Sequence, residues 1–290
     1  MTTAIEAMLE ELNDYAGLFP PAGLDMKTAV RNYSEYLSGD DAWMLGRFVV
    51  PAQRLGEFAS VFTENCCDEQ ASPWLLSVVA SGNEEDLQYI ADFVEGASYL
   101  DAIEFKADNI EHAEKVLLSV PSSMAAYVEF APNKSEEMLP LLKKYDARAK
   151  IRCGGVTAEA IPTKQSVAHF IAACANAGVA FKATAGLHHP LRSMQKLTYE
   201  RASASALMFG FANVFVAATM AYNGASKNDI IPVLGEESPQ AFTWEKDKGI
   251  WLNYSYSAAQ IAEAREKFAV SFGSCSFTEP VQDLKTLGWL

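Results

Sequence analysis

Short apolar runs alternate with longer amphipathic stretches through the middle of the chain. Six of the short runs predict strands, at 47–51, 74–80, 102–107, 126–130, 149–153 and 179–185. Five helix patterns lie between them, at 52–65, 84–95, 110–118, 135–145 and 164–177. Strands that alternate with helices indicate βα units and a parallel sheet, and right-handed crossovers roll successive units in one direction. The chain is therefore predicted to be an α/β protein, either a barrel or an open doubly wound sheet.

Four neighbouring predicted strands carry polar residues at every second position. One face of these strands pairs Glu104 with Lys106, Tyr127 with Glu129, Lys150 with Arg152, and Lys182 with Thr184. Side chains alternate across a strand, whereas strands of an open parallel sheet are covered on both faces and read as continuous apolar runs. The alternation favours a parallel (β/α) barrel of TIM type with a polar interior. The alternative is a set of partly exposed strands with salt bridges on a solvated face.

The flanking segments predict helical decoration of this barrel. At the N-terminus, helix patterns cover 4–18 and 25–37, and Asp25 is a suitable N-cap for the second. After Pro190 the sequence predicts helices at 199–222, 228–234 and 258–270 and a hairpin of 242–244 with 250–253. Seventh and eighth barrel strands are not evident in the sequence. The barrel is therefore predicted either to be incomplete or to be completed by strands that the pattern does not reveal. We expect one domain, with N-terminal helices (1–42), βα repeats (43–192) and a segment that completes or covers the barrel (193–290).

Composition narrows the classes of partner. The chain has 290 residues, 21% of them charged, with a formal net charge of −14. A strongly acidic protein disfavours nucleic acids and anionic membranes as partners. The sequence shows no transmembrane segment and no signal-peptide pattern, which favours a cytoplasmic location. Five cysteines without a C-x-x-C pair, and no metal-ligand spacing, predict reduced thiols, with no metal and no cofactor.

The ends of the predicted strands are where chemistry is expected, because parallel α/β folds bind ligands there. The segment after the sixth predicted strand is the richest, since Lys182 precedes His188 and His189. Neighbouring side chains on an extended chain point in opposite directions, so at most one of the two histidines is expected to face the site. We predict catalytic roles for Lys182, Glu129, His188 and His189. For the histidines, the alternative is a role in capping a loop.

A second set of residues is predicted to bind the substrate. Lysine and arginine side chains inside an acidic protein would form a local cationic site for a phosphate or carboxylate. Glycines at strand ends let the backbone approach a ligand closely, although a plain tight turn is equally compatible. The predicted set is Glu104, Lys106, Lys150, Arg152, Gly154, Gly155, Thr184 and Gly186. The alternative for its charged members is charge-paired packing inside the barrel.

The cysteines are predicted to be structural. Residues 271–276 are small and polar, and we expect a loop there, because the sequence identifies no base that would activate Cys275 as a nucleophile. Cys66 and Cys67 are predicted to be half-buried thiols near the end of a helix.

Two resemblances accompany these patterns. Segments across nearly the whole chain resemble a bacterial family of α/β-barrel proteins to which no activity is attached, namely 43–51, 151–155, 181–192, 271–277 and 279–281. Residues 150–186 also resemble class I aldolase barrels of the deoxyribose-phosphate aldolase type. There, an Ala-Gly pair precedes a strand with a Lys-Thr-Ser-Thr-Gly-like run, and here Ala177-Gly178 precedes Lys182-Ala183-Thr184-Ala185-Gly186. This resemblance implies that Lys182 occupies the position of a Schiff-base lysine in a lyase.

Three functions remain open from the sequence. The first is an enzyme that binds a small phosphorylated or carboxylated metabolite at the barrel mouth, in its sharpest form an imine-forming lyase. The second is a transferase-like barrel that binds a phosphate or nucleotide without covalent chemistry. The third is a non-catalytic binding or assembly protein. In that case residues 199–222 and the hairpin with Trp244 and Trp251 would form a subunit interface, for example in a homodimer.

Overall fold

Eight parallel strands close into a barrel in the computed structural model, which describes residues 2–65, 74–94 and 100–290. The barrel strands are β1 (Asn13–Tyr15), β2 (Leu45–Pro51), β3 (Leu76–Ala80), β4 (Leu100–Lys106), β5 (Ala125–Glu129), β6 (Arg148–Arg152), β7 (Phe181–Thr184) and β13 (Ala269–Ser274). Around the barrel their order is β1, β13, β7, β6, β5, β4, β3, β2, and β2 returns to β1. The predicted α/β barrel of TIM type is therefore confirmed, and the barrel is complete.

Helices and two small sheets surround the barrel. The helices are α1 (Ala4–Leu9), α2 (Met26–Leu37), α3 (Leu55–Asn65), α4 (Glu84–Val94), α5 (Ile110–Leu117), α6 (Ser135–Lys144), α7 (Lys164–Ala177), α8 (Phe211–Tyr222), α9 (Lys227–Leu234), α10 (Ala258–Lys267) and α11 (Thr278–Thr286). The small sheets are a hairpin of β8 (Ser193–Lys196) with β9 (Ser205–Met208), and a three-stranded sheet of β10 (Phe242–Trp244), β11 (Lys248–Trp251) and β12 (Tyr254–Ser257). Within the described ranges, no helix is long and apolar enough to cross a lipid bilayer.

The two strands that the sequence did not reveal close the barrel. The predicted helix over 4–18 is wrong in its second half, because Glu11 adopts a left-handed backbone (φ 47°) and the chain then forms β1. The predicted helix over 258–270 ends at Lys267, and most of the expected loop at 271–276 is the end of β13. β1 pairs with β13 from Asn13↔Phe272 to Tyr15↔Ser274. Segments from opposite ends of the chain thus complete the barrel.

The side chain of Arg265 joins these two ends of the chain. Its guanidinium is buried and donates hydrogen bonds to the carbonyl oxygens of Met8 (2.9 Å), Glu10 (3.0 Å), Ala269 and Val270. Burial lowers the pKa of Arg265 to about 10, so the group remains charged at neutral pH. One side chain of α10 therefore satisfies backbone acceptors at the end of α1 and at the start of β13.

Residues 199–222 do not form one helix. The strands β8 and β9 pair from Ser193↔Met208 to Lys196↔Ser205, and α8 begins only at Phe211. Every residue of α8 from 211 to 221 is buried, and in the three-stranded sheet Trp251 is buried and Trp244 is half-buried. The side chains of α8 and of Trp251 pack inside the protein, and the subunit interface considered from the sequence stays a prediction.

Candidate active site

A cavity of about 610 Å³ opens at the carboxyl-terminal mouth of the barrel. Inward-facing residues at the ends of the strands form its floor, and the loops that follow these strands form its walls. This is the face at which parallel barrels place their active sites. Of the residues predicted to act at a site, it is lined by Glu104, Lys150, Arg152, Gly155, Thr184, Gly186, His188 and His189.

Six charged side chains below and beside this cavity form one continuous chain of ion pairs. Their order is Asp14, Lys182, Glu104, Lys150, Glu129 and Arg152, from strands β1, β7, β4, β6, β5 and β6. Successive nitrogen–oxygen distances are 2.6, 2.5, 2.9, 3.0 and 3.2 Å. The signs alternate, so three carboxylates neutralise three cations. The polar interior predicted from the strand alternation therefore exists, and we name this set the ion chain.

Lys182 is the most enclosed member of the ion chain. Its side chain is 1% exposed, and its ammonium group lies between the Asp14 and Glu104 carboxylates and 5.3 Å from the centre of the Tyr127 ring. Burial alone would lower the pKa of Lys182, but the two carboxylates outweigh burial and raise this pKa above its ordinary value. Lys182 therefore carries a proton at neutral pH, and its nitrogen has no free electron pair for attack on a carbonyl.

The two glutamates of the ion chain are ionised. Glu104 is buried, which favours its neutral form, but Lys150 and Lys182 hold the pKa of Glu104 well below its usual range. Glu104 Oε1 also accepts a hydrogen bond of 2.6 Å from Ser77. Burial opposes ionisation of Glu129 as well, and Lys150 and Arg152 lower the pKa of Glu129. Glu129 is thus an acceptor that holds two cations, and in this state it has no proton to donate.

Lys106 lies outside the ion chain, contrary to its predicted place in the cationic cluster. It is the last residue of β4, so its side chain extends past the end of the strand into solvent and is 64% exposed. Its ammonium group pairs with Asp108 at 3.2 Å. The cations that do converge are paired with carboxylates, and Arg152 is the member whose side chain remains half exposed, at 52%.

Gly154 and Gly186 bring two loops at the mouth into direct contact. A Cβ atom placed on either glycine would lie 2.9 Å from the Cα atom of the other, so a side chain does not fit at either position. Gly186 also has a left-handed backbone, with φ 73°, which favours glycine. Gly154 therefore serves the packing of the loops after β6 and β7, and the neighbouring Gly155 lines the cavity.

A second polar group of side chains, of which the sequence predicted only His188 as a site residue, lies along one wall of the cavity. Cys275 follows β13, and its Sγ atom is 3.9 Å from Nε2 of His188 and 3.7 Å from the hydroxyl of Tyr199. Glu279 Oε2 lies 3.1 Å from Nδ1 of His188 and accepts a 2.9 Å hydrogen bond from Tyr199. All four residues line the cavity. We name Cys275, His188, Glu279 and Tyr199 the thiol cluster.

Ionisation within the thiol cluster follows from these contacts. Burial would lower the pKa of His188, but its contacts with Cys275 and Glu279 outweigh burial and raise this pKa to about 9. Burial would raise the pKa of Glu279, and the bonds from His188 and Tyr199 lower it instead. At neutral pH the cluster therefore holds an imidazolium bound to a carboxylate, with the thiol on the other side of the ring.

Both histidines after β7 line the cavity, so the expectation that at most one would face it is wrong. The chain bends at 189–190 instead of continuing as a strand, which removes the alternation on which that expectation rested. His189 Nδ1 lies 2.5 Å from Oδ2 of Asp283 in α11. His188 forms the corresponding pair with Glu279 of the same helix. Helix α11 thus holds both rings by carboxylates one turn apart.

Opposite the ion chain, part of the cavity wall is apolar. Phe19 follows β1, and Val49 and Val79 point inward from β2 and β3. The β8–β9 hairpin lies over the mouth and contributes both apolar and polar side chains, namely Leu197, Met208, Gln195, Lys196 and Thr198. A ligand in this cavity would therefore contact charged groups below it and a mixed apolar and polar surface from the hairpin.

The three described cysteines are all buried, and they differ in whether they line the cavity. Cys153 and Cys174 have no exposed surface, whereas Cys275 is 6% exposed, and burial raises the pKa of Cys153 to about 12. Cys66 and Cys67 lie outside the described residues, so the prediction of half-buried thiols there is not addressed. Among the described cysteines, Cys275 is the one that reaches the cavity. Within the described part of the chain, no group of three or more His, Cys, Asp or Glu side chains is arranged to hold a metal ion.

Replacement of Lys182 by Met is expected to lower the free energy of unfolding by about 3–5 kcal/mol, because it leaves the Asp14 and Glu104 carboxylates buried without their shared cation. Urea denaturation measures this loss. Lys106→Met is the matched control and should change stability by no more than about 0.5 kcal/mol, since that side chain is exposed. Equal stability of the two variants would contradict the assignment of Lys182 to a continuous ion chain.

The free energy of unfolding is expected to fall as the pH rises from 6.5 to about 9, because native His188 keeps a proton that the unfolded imidazole releases. Below this window both states are protonated and the stabilisation is fully present, and above it the stabilisation is lost. His188→Gln should flatten the slope in urea denaturation across the window. His169→Gln, on α7 and away from the cavity, should keep the wild-type slope. A wild-type slope in His188→Gln would refute the predicted proton uptake.

Comparison of the chain with protein-family models, with curated proteins and with solved structures finds no match in any of the three. The geometry of the cavity therefore carries the functional argument alone.

Proposed function

We propose that this protein is an enzyme that binds a small anionic metabolite, carboxylated or phosphorylated, at the carboxyl-terminal mouth of the barrel. The observation that carries the proposal is the position of Arg152. Its guanidinium lines the cavity, is half exposed, and is held from behind by Glu129 through Nε at 3.2 Å. A guanidinium fixed at one nitrogen, in a side chain that is half exposed and lines the cavity, suits a carboxylate or phosphate.

The other two cations of the ion chain, Lys150 and Lys182, are less suited to bind an anion than Arg152 is. Lys150 is bound by Glu104 and Glu129, and Lys182 by Asp14 and Glu104, so both charges are already neutralised. Among the described residues, no hydrogen bond occupies the terminal nitrogens of Arg152. An acidic protein repels anions at long range, so a local cation with free hydrogen-bond donors is required to bind one. The anion-binding role predicted for the whole cluster therefore falls to Arg152.

For Lys182 we propose the role of electrostatic anchor rather than nucleophile. Imine formation needs a neutral amine with access to the substrate carbonyl. Lys182 is enclosed and protonated between two carboxylates, and it does not line the cavity. Lys182 instead binds Glu104, which binds Lys150, and this series of contacts continues through Glu129 to Arg152. The aldolase-like version of the proposal is accordingly the less favoured one.

Reactive side chains favour an enzyme over a binding protein. His188, His189, Glu279 and Cys275 line the same cavity as Arg152, and such groups carry out proton transfer and covalent chemistry in barrels of this type. A transferase-like site of the predicted kind would use Gly154 and Gly155 as an anion cradle. Gly154 is instead packed against Gly186, which leaves Arg152 as the better supported anion contact.

Arg152→Gln is expected to weaken binding of small anions at least about tenfold, because it removes a charge-assisted hydrogen-bonding group. Thermal shift with inorganic phosphate and with small carboxylates such as succinate detects binding, and calorimetry on the best of them gives the affinity. Lys106→Gln removes the same charge outside the cavity and should bind as the wild type does. Equal affinities in wild type and Arg152→Gln would overturn the proposed anion site.

Borohydride reduction in the presence of small aldehydes and keto acids is expected to leave Lys182 unmodified, because this amine is protonated and enclosed. Mass spectrometry of the peptide that contains Lys182 reads out the adduct. Exposed lysines such as Lys106 and Lys115 serve as internal references for non-specific modification. A reduced adduct on Lys182 above those references would restore the imine-forming lyase.

A further inference from the structure

The thiol cluster has the three parts that nucleophilic catalysis by cysteine requires. Cys275 supplies the sulfur, His188 Nε2 faces it at 3.9 Å, and Glu279 holds Nδ1 of the same ring at 3.1 Å. Because the carboxylate binds Nδ1, the opposite nitrogen of the ring is directed at the thiol, as in other nucleophile–base–carboxylate arrangements. The three residues come from the ends of separate elements and meet only on the cavity wall.

We propose that Cys275 is the nucleophile of an acyl-transfer reaction on a small anionic ester or thioester, with His188 as its proton partner and Glu279 as the group that positions His188. This proposal rests on the proposed function, because the anionic part of the substrate would lie on Arg152. It extends that function by naming the reacting bond and the reacting atom.

Position in the fold supports Cys275 in this role. It directly follows β13, at the end of the barrel where substrates bind, and its side chain borders the open cavity. By contrast, Cys153 and Cys174 are fully buried, and Lys182 is bound by two carboxylates. Cys275 is thus the described cysteine that lines the cavity.

The distance between Cys275 and Arg152 sets the size of the substrate. Their strands, β13 and β6, are separated by one strand, β7. Neighbouring strands are about 4.8 Å apart, so the two backbones are separated by about 10 Å at the mouth. The long side chain of Arg152 makes the distance between its guanidinium and Cys275 shorter than the distance between the two backbones. A molecule whose carboxylate or phosphate is a few bonds from its ester carbonyl can therefore contact both groups.

The chemistry balances with water as the co-reactant. The Cys275 thiolate forms a bond to the carbonyl carbon, and the bond from that carbon to the alcohol oxygen or thiol sulfur breaks. The departing group takes the proton of His188 Nε2, which leaves an acyl thioester on Cys275. Water then attacks the thioester carbon and gives a proton to His188, and the sulfur departs as the thiolate. One ester and one water become one acid and one alcohol or thiol, with no oxidant or reductant.

The first test is the rate at which iodoacetamide alkylates Cys275, followed by mass spectrometry of its peptide as a function of pH. A free thiol with an ordinary pKa loses about tenfold in rate per pH unit below neutrality, because only the thiolate reacts. The titratable groups that face this thiol are His188 after β7, Tyr199 of the hairpin, Glu279 of α11 and Tyr15 of β1. The alkylation rate of His188→Gln is expected to fall more steeply with falling pH than that of the wild type, because the variant lacks the imidazole that faces the sulfur at 3.9 Å.

Matched variants separate the positioning role of Glu279 from simple packing. Glu279→Gln keeps the size of the side chain and should move the pH profile of alkylation toward that of His188→Gln. Tyr199→Phe removes a hydroxyl near the sulfur but leaves His188 and Glu279 in place, so its profile should match that of the wild type. Thermal melting confirms that each variant is folded. A wild-type profile in both His188→Gln and Glu279→Gln would overturn the assignment.

The second test is capture of the acyl group. The wild type is incubated with mono-4-nitrophenyl succinate, an anionic activated ester, and the burst of nitrophenol and the mass of the Cys275 peptide are measured. We expect a succinyl thioester on Cys275, absent in Cys275→Ala, and a burst rate at least about tenfold lower in His188→Gln. Acylation of other residues alone, with Cys275 unmodified, would contradict the proposal.

Failure of this proposal can be told from failure of the proposed function. Anion affinity is measured on Cys275→Ala, which keeps Arg152, and acylation is measured with uncharged 4-nitrophenyl acetate as well as with the succinate ester. Anion binding without acylation by either ester refutes the nucleophile and leaves the proposed function standing. Acylation by both esters at similar rates, without anion binding, supports the nucleophile and refutes the anion site.

Discussion

The barrel depends on the ion chain that fills its interior, from Asp14 to Arg152. Removing an ion from water costs several kcal/mol unless a partner of opposite charge and further hydrogen bonds replace the solvent. Here each buried charge has such partners, since Glu104 accepts bonds from Lys182, Lys150 and Ser77 together. Because the polar residues alternate along each strand, the apolar residues between them face the surrounding helices. The alternation of polar and apolar residues along each strand thus places ion pairs inside the barrel and apolar contacts between the barrel and its helices.

The ion pairs also separate the groups at the mouth of the barrel that we propose to bind an anion from those that we propose to react. Because Lys150 and Lys182 are each bound by two carboxylates, Arg152 is the cation of the barrel strands that we propose as the anion contact, and Glu129 holds it at Nε. Phe19, Val49 and Val79 form an apolar part of the cavity wall. The thiol cluster comes from residues after β7 and β13, from the β8–β9 hairpin loop and from α11, and it shares no member with the ion chain. Binding and chemistry are therefore assigned to neighbouring but separate groups.

The middle of the chain could be predicted from sequence, because its signals are local. Alternation within single strands identified Glu104, Glu129, Lys150, Arg152 and Lys182 as inward-facing, and Asp25 was recognisable as an N-cap that bonds to Thr28. Lys106 obeys the same alternation but lies at a strand end, where the side chain escapes into solvent. Periodicity alone does not show where a strand stops.

The closing strands and the thiol cluster could not be predicted, because their signals are not local. β1 contains three polar or aromatic residues and continues the amphipathic pattern of α1, and β13 is built largely from small residues. Their pairing joins positions about 260 residues apart, as in Asn13 with Phe272. Cys275 and His188 are separated by 87 residues, so only the closed barrel brings them together. An odd cysteine beside a small polar run was the one available signal.

The central claim is that the ion chain keeps Lys182 charged, and the protonation of its side-chain nitrogen tests this directly. In protein labelled with ¹⁵N-lysine, the Nζ resonance of Lys182, assigned through Lys182→Arg, is followed by NMR as the pH rises. Exposed lysines lose their protons near a pKa of about 10.4. We predict that Lys182 keeps the chemical shift of an ammonium group after the exposed lysines have titrated. Loss of its proton before theirs would contradict the claim and return Lys182 to the role of nucleophile.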